Sequence, residues 1–172
     1  MNTPDHAIAD REEPGSSNEP DVPLEPTVTC ETDLEAPDVD PAWLHARTEC
    51  ALPHLSRDVQ RVTIRVVDDA EMIDLHTRYH NDPTTTDVLT FEGAATPMPL
   101  EVDIAVCADE ARRQSAARAH DVNSELLLYV VHGLLHCCGH DDHDPDGHAR
   151  MHAEEDRILT SIGVGTIYGG DA

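Results

Sequence analysis

The sequence predicts an α+β domain: a small mixed β-sheet covered by helices, with a histidine-bearing helix near the C-terminus. Three observations carry this. At 172 residues the chain suits one domain with its own hydrophobic core. Short β-branched runs alternate with helical patterns in the order strand, helix, strand, helix, strand, strand, and then helices only. No apolar run approaches the eighteen or so residues a membrane span needs.

The elements follow in order. Residues 1–23 form an acidic N-terminal tail, because Met1 to Asp40 hold 12 acids against one Arg, with six prolines among them. The domain proper spans 24–160, and 161–172 form a short C-terminal tail. Leu24 to Thr32 suits an edge strand. Pro41 to Leu52 reads as a helix, with Asp40 as N-cap and Pro41 at the first helical position. Arg61-Val-Thr-Ile-Arg-Val-Val alternates as a strand should. Asp69 then caps a helix with Met72, Ile73, Leu75 and Tyr79 along one side. Asn81-Asp-Pro turns the chain into a strand at Asp87-Val-Leu-Thr-Phe91, with Phe91, the single Phe, assigned to the core. Gly93 to Pro99 is a loop and Val102 to Cys107 the last strand. A helix from Ala108 to about His120 carries Arg112, Arg113 and Arg118. Glu125 to Cys138 is the most apolar helix, stopped by Gly139, and Gly147 to Thr160 forms the final one.

Composition narrows the function. The formal charge is -24, and all eleven basic residues are Arg. A generally basic surface for nucleic acid or anionic lipid is excluded, whereas one local basic groove is not. The three arginines of the Ala108 helix are either a solvated face or that groove. Five cysteines without framework spacing, and no secretory leader, predict reduced thiols in the cytoplasm.

Six of the twelve histidines lie between His132 and His152. His132 and His136 are four residues apart, so their rings share one helical face. Two neutral imidazoles so placed suit Zn²⁺, and a chain reversal at Gly139 brings Asp142 or His143 back as a third ligand. Cys137 and Cys138 point elsewhere around the helix and read as packing residues. His140, His148 and His152 read as solvated or as partners behind the ligands. Three protein ligands leave a position for hydrolytic chemistry, whereas a closed four-ligand site would be structural. The zinc-protease signature places a Glu directly after its first histidine. Here that residue is Gly133, which disfavours peptide hydrolysis.

These residues resemble the YbeY endoribonucleases, also called rRNA maturation factors. The family hallmark HGxLHLxGYDH is similar to His132-Gly-Leu-Leu-His136-Cys-Cys-Gly139-His140-Asp141-Asp142, followed here by His143. A second stretch, approximately LNxxYRxxxxxTDVLSF, is similar to Leu75 through Phe91 in the same register. The family's Gly-Asp-Ile looks like Val102-Asp103-Ile104, and its glutamate ahead of the metal helix looks like Glu125.

The resemblance implies a zincin-like fold and a single-strand-specific endoribonuclease with one Zn²⁺ per chain, acting in 16S rRNA 3′-end maturation and ribosome quality control. It implies the 16S rRNA precursor and the small ribosomal subunit as partners, with a ribosomal protein or a GTPase, and neither membrane nor DNA. His132 and His136 fall on family ligands. The third ligand falls by register on Asp142, with His143 one residue beyond as the alternative. The family arginine that meets phosphate falls on His80, which offers a weaker, pH-dependent contact. Thr86-Asp87 precedes a strand at the cleft, where Asp87 either caps its turn or orients a ligand imidazole. His80 and Asp87 are thus the candidate catalytic residues. A zinc hydrolase with another substrate, or a non-catalytic ribosome-associated module stabilised by zinc, are the competing readings.

Overall fold

Alternating residues sort the sheet into two faces. The computed structural model describes residues 25–93 and 98–168, so the predicted tail at 1–23 and part of the loop at 93–99 lie outside the described residues. Strand β1 (Thr27–Glu31) leads to α1 (Pro41–Ala51), a 3₁₀ turn at Leu52–His54 and β2 (Val59–Val67). Next come α2 (Asp69–His80), β3 (Val88–Glu92), β4 (Leu100–Cys107), α3 (Ala108–Arg118), α4 (Val122–Cys137) and α5 (Pro145–Ser161). The sheet order is β1-β2-β4-β3. β1, β2 and β4 run parallel, and β3 is antiparallel to β4 at one edge. The architecture is therefore the α+β domain with a small mixed sheet that the sequence predicts.

Val62, Ile64 and Val66 of β2 and Val102, Ile104 and Val106 of β4 share the main core with α1 and α4. The alternate residues Arg61 and Asp103 face the other way and form a cross-strand ion pair at 2.6 Å. Near the C-terminal ends of these strands that second face is closed by a smaller cluster of Val67, Met72, Leu89, Ala105 and Cys107. Phe91 packs at the margin of this cluster against the exposed Tyr79 ring, 4.7 Å between centroids, rather than in the main core.

Helix ends follow local chemistry. Asp40 accepts from the Trp43 N–H at 2.9 Å with Pro41 at the first helical position, as predicted. The cap of α2 is Asp68, not Asp69: Asp68 accepts from the Glu71 N–H at 2.9 Å, while Asp69 is the first helical residue and pairs with Arg113. Asn81 ends α2 with φ of 56°. Helix α4 starts earlier than predicted, at Val122, with Asp121 accepting from the Ser124 N–H. It is buried almost all round, as its composition demands. Beyond α5, Ile162 is buried, and Asp156 accepts from the backbone N–H groups of Ile167 and Tyr168, so the chain stays packed on the domain to Tyr168. Among the described residues no helix is long and apolar enough to cross a membrane.

Candidate metal centre

Gly133 decides how α4 meets the sheet. A Cβ at this position would lie 2.6 Å from the Thr90 methyl group and 3.4 Å from a Val88 methyl, so only glycine lets the helix settle on β3. The residue that would be a general base in a zinc protease is here a packing contact. One residue before Gly133 and three after it, His132 and His136 project their rings together, 85° apart in plane and 4.5 Å between centroids.

The rest of the site comes from the turn between α4 and α5. Gly139, at φ 90°, reverses the chain, and the Gly139 and His140 N–H groups close on the last carbonyls of α4. Asp144 then caps α5 by accepting from the Gly147 N–H at 2.8 Å. A Cβ on Gly147 would fall 2.4 Å from the Asp141 carbonyl oxygen, so this glycine is what allows the turn to close. Folded thus, the turn delivers Asp142. Its carboxylate oxygens lie 3.7 Å from His132 Nε2 and 3.6 Å from His136 Nε2, and the two Nε2 atoms are 2.9 Å apart. These separations let one ion sit within the roughly 2.0–2.2 Å that zinc–imidazole and zinc–carboxylate contacts require.

The other nitrogen of each ring is already committed. His132 Nδ1–H donates to Glu155 Oε1 at 2.6 Å, and His136 Nδ1–H donates to the His140 carbonyl at 3.0 Å. Both rings are therefore held with Nε2 as the free lone pair, the arrangement by which a metal-binding imidazole is fixed. Burial pulls the His132 pKa down, but the Glu155 hydrogen bond and charge, with weaker help from Asp87 and Asp142, carry it upward overall. Glu155 is fully buried and its second oxygen accepts from His152 Nδ1–H at 2.9 Å. Sequence reasoning missed Glu155. Its one signal was register: it stands in the buried stripe of α5 with Met151, Ile158 and Leu159.

The remaining predicted residues are placed as follows. The His143 side chain is 85% exposed against 30% for Asp142, and it bonds Asp141, which raises its pKa. His143 does belong to a second, exposed group with Asp141 and Asp142, but its ring lies outside the His132–His136 convergence. Asp87 accepts from the Thr86 hydroxyl and the Val88 N–H, within its own turn, so the carboxylate that bonds a ring of the histidine pair is Glu155. His80 is exposed at the end of α2, its ring 5.4 Å from His76, and none of its described contacts reaches the histidine pair. Cys137 and Cys138 remain thiols: burial pushes Cys137 up to about 11 and Cys138 upward as well.

A cavity of about 360 Å³ is lined by Thr86, Asp87, Gln114, Arg118, Tyr129 and Tyr168, among others. Its floor holds Glu125, fully buried and paired with Arg118 at 2.8 Å and with His120. Burial and the nearby Glu125 carboxylate push the Tyr129 hydroxyl well above its ordinary pKa. Tyr168 links this cavity to the histidines, because its ring packs 3.6 Å from that of His152.

The model of the family described as Endoribonuclease YbeY matches residues 40–163. The endoribonuclease YbeY of Thermobifida fusca is 32% identical over 107 residues, covering 57% of this chain and 69% of that protein. That of Mycobacterium tuberculosis is 36% identical over 109 residues, 57% of this chain and 62% of the relative. That of Mycobacterium marinum is 37% identical over 105 residues, 55% and 59% respectively. The solution structure of the Thermotoga maritima protein TM1509 superposes with a TM-score of 0.53 at 20% identity, over 78% of this chain and 91% of that one, a likeness of fold.

Proposed function

The chain belongs to the endoribonuclease YbeY family, and from that premise we propose that it hydrolyses RNA phosphodiester bonds at a zinc centre held by His132, His136 and Asp142. The observation that carries this reading is the convergence of two Nε2 atoms and one carboxylate, while Glu155 and the His140 carbonyl occupy the rings' other nitrogens. Zinc, when bound, supplies Lewis-acid polarisation of a phosphodiester oxygen. The chain's own residues present the ligands, keep the rings from turning, and exclude a protease-type base at position 133. Asp87 adds negative charge near His132 from the cavity wall, and family register supports Asp142 over His143 as the third ligand.

The finer reading follows the family resemblance. The substrate is single-stranded RNA, the 3′ end of the 16S rRNA precursor in the cytoplasm, met on the small ribosomal subunit with a ribosomal protein or a GTPase as partner. His80 stands where the family carries arginine, so phosphate is held less firmly at that point.

The test uses zinc-loaded full chain and a fluorescent single-stranded RNA, with the matching duplex as control. Wild type should cut the single strand and leave the duplex intact, and His132→Ala should lose both zinc and cleavage while its metal-free form still unfolds in one cooperative step, at a lower temperature because the buried Glu155 carboxylate loses a partner. Cleavage that survives His132→Ala at full strength, or a zinc-loaded wild type that cuts no RNA, would overturn the reading.

A further inference from the structure

We propose that His148 and His152 form a second transition-metal site, on the opposite side of Glu155 from the first. The two residues lie four apart on α5, so their rings share a face. Their Nε2 atoms are 3.0 Å apart, with ring centroids at 4.0 Å and planes 83° apart. The His132–His136 pair gives 2.9 Å, 4.5 Å and 85°. The two pairs are nearly the same object, built on two helices.

The likeness extends to the atoms behind the rings. His152 Nδ1–H donates to Glu155 Oε2 at 2.9 Å, just as His132 Nδ1–H donates to Oε1 of the same carboxylate. An ionised carboxylate only accepts, so each donation leaves Nε2 with its lone pair facing the neighbouring ring. Tyr168, its ring tilted 34° to that of His152 with centroids 3.6 Å apart, restricts the His152 ring further. Two imidazole nitrogens held so close offer a single dication two nitrogen donors at once.

The donor set selects the ion. Two imidazoles suit the borderline ions Cu²⁺, Ni²⁺ and Zn²⁺, not Mg²⁺ or Ca²⁺, which want oxygen. Two protein ligands, with His148 exposed, make this site weaker than the three-ligand site on α4. The remaining positions face solvent and are open to water or to an anionic group. The proposal does not depend on RNA being the substrate.

The test is calorimetric titration of the metal-free full chain with Zn²⁺, repeated with Cu²⁺ and followed by its visible absorption. Wild type should take up about two equivalents in a tight and a weaker step. His148→Ala should keep the tight step, lose the weaker one, and unfold at the wild-type temperature, since the described contact of the His148 ring is with His152 alone. Asp142→Ala should do the reverse and weaken only the tight step, which separates a failure of the α4 assignment from a failure of this one. A single step in wild type, or a weaker step that persists undiminished in His148→Ala, would overturn the second site.

Discussion

The histidine side of the molecule and the arginine face of α3 are both marked by sequence as places for chemistry, and they are built in opposite ways. Each ring of the His132–His136 pair has one nitrogen tied to the protein and one left over, and the leftovers converge. On α3 the leftovers are few. All three guanidinium nitrogens of Arg112 face Asp38 or Asp109, and those of Arg113 face Asp69 or Glu110. Arg118 bonds the buried Glu125 and lies over the Tyr168 ring. A functional group is available only for what its internal partners leave unused. By that measure the arginine face is a set of structural ion pairs, and the groove for phosphate that its composition suggested is largely spent.

The contrast breaks most visibly at Glu155. Glu155→Ala frees the Nδ1–H of two rings in a buried place and lets both turn. Zinc affinity should fall by about 10- to 100-fold, the usual cost of removing a carboxylate behind a metal-binding histidine. Competition against a chromophoric chelator measures this. An affinity within about twofold of wild type would mean that the helix alone holds the rings.

A smaller effect is expected at Gly147, and it sharpens the contrast by touching only the loop. In Gly147→Ala the new methyl group meets the Asp141 carbonyl, whose backbone must move and take Asp142 with it. Overpacking of this kind costs about 1–3 kcal/mol of stability. Urea unfolding of the metal-free protein should show that loss, and zinc affinity should fall as well because the third ligand is displaced. Stability that falls while zinc affinity holds would place the third ligand elsewhere.

The same contrast explains what the sequence made legible. The His132–His136 spacing and Gly139 are local features, readable within one turn of helix, and so were the caps at Asp40 and the strand alternation in β2. Adjacent aspartates, Asp68 and Asp69, exchanged roles because a cap is decided by one residue's backbone geometry, which composition does not encode. Glu155 was hidden among Glu154, Glu155 and Asp156, three acids in an acidic chain, and only its place in the apolar stripe of α5 marks it. The partners of the arginines were unreadable for a different reason. Asp38 is 74 residues from Arg112, and Asp69 is 44 from Arg113, so these pairs exist only once the fold has brought the segment ahead of α1, and α2, against α3.

The smallest expected effect lies on that arginine face. Asp69 has its carboxyl held well below the usual range, chiefly by hydrogen bonds from Arg113, with Cys107 and Thr85 adding to them against the cost of burial. A depressed carboxyl stabilises the fold above its unfolded pKa and loses that contribution as pH falls below it. Both partners are more than a third exposed, so solvent screening limits the pair to about 0.2–1 kcal/mol. Asp69→Asn should therefore unfold at lower urea than wild type near neutral pH, and the gap should narrow steadily as pH is lowered from about 5 to about 3. RNA binding supplies the second half of the test. If Arg112 and Arg113 are already neutralised by their carboxylates, alanine at either should leave affinity for single-stranded RNA, and its salt dependence, unchanged within about twofold. A steep loss of affinity with a shallower salt slope would show that RNA displaces those carboxylates, and that the face holds its arginines in reserve instead of spending them.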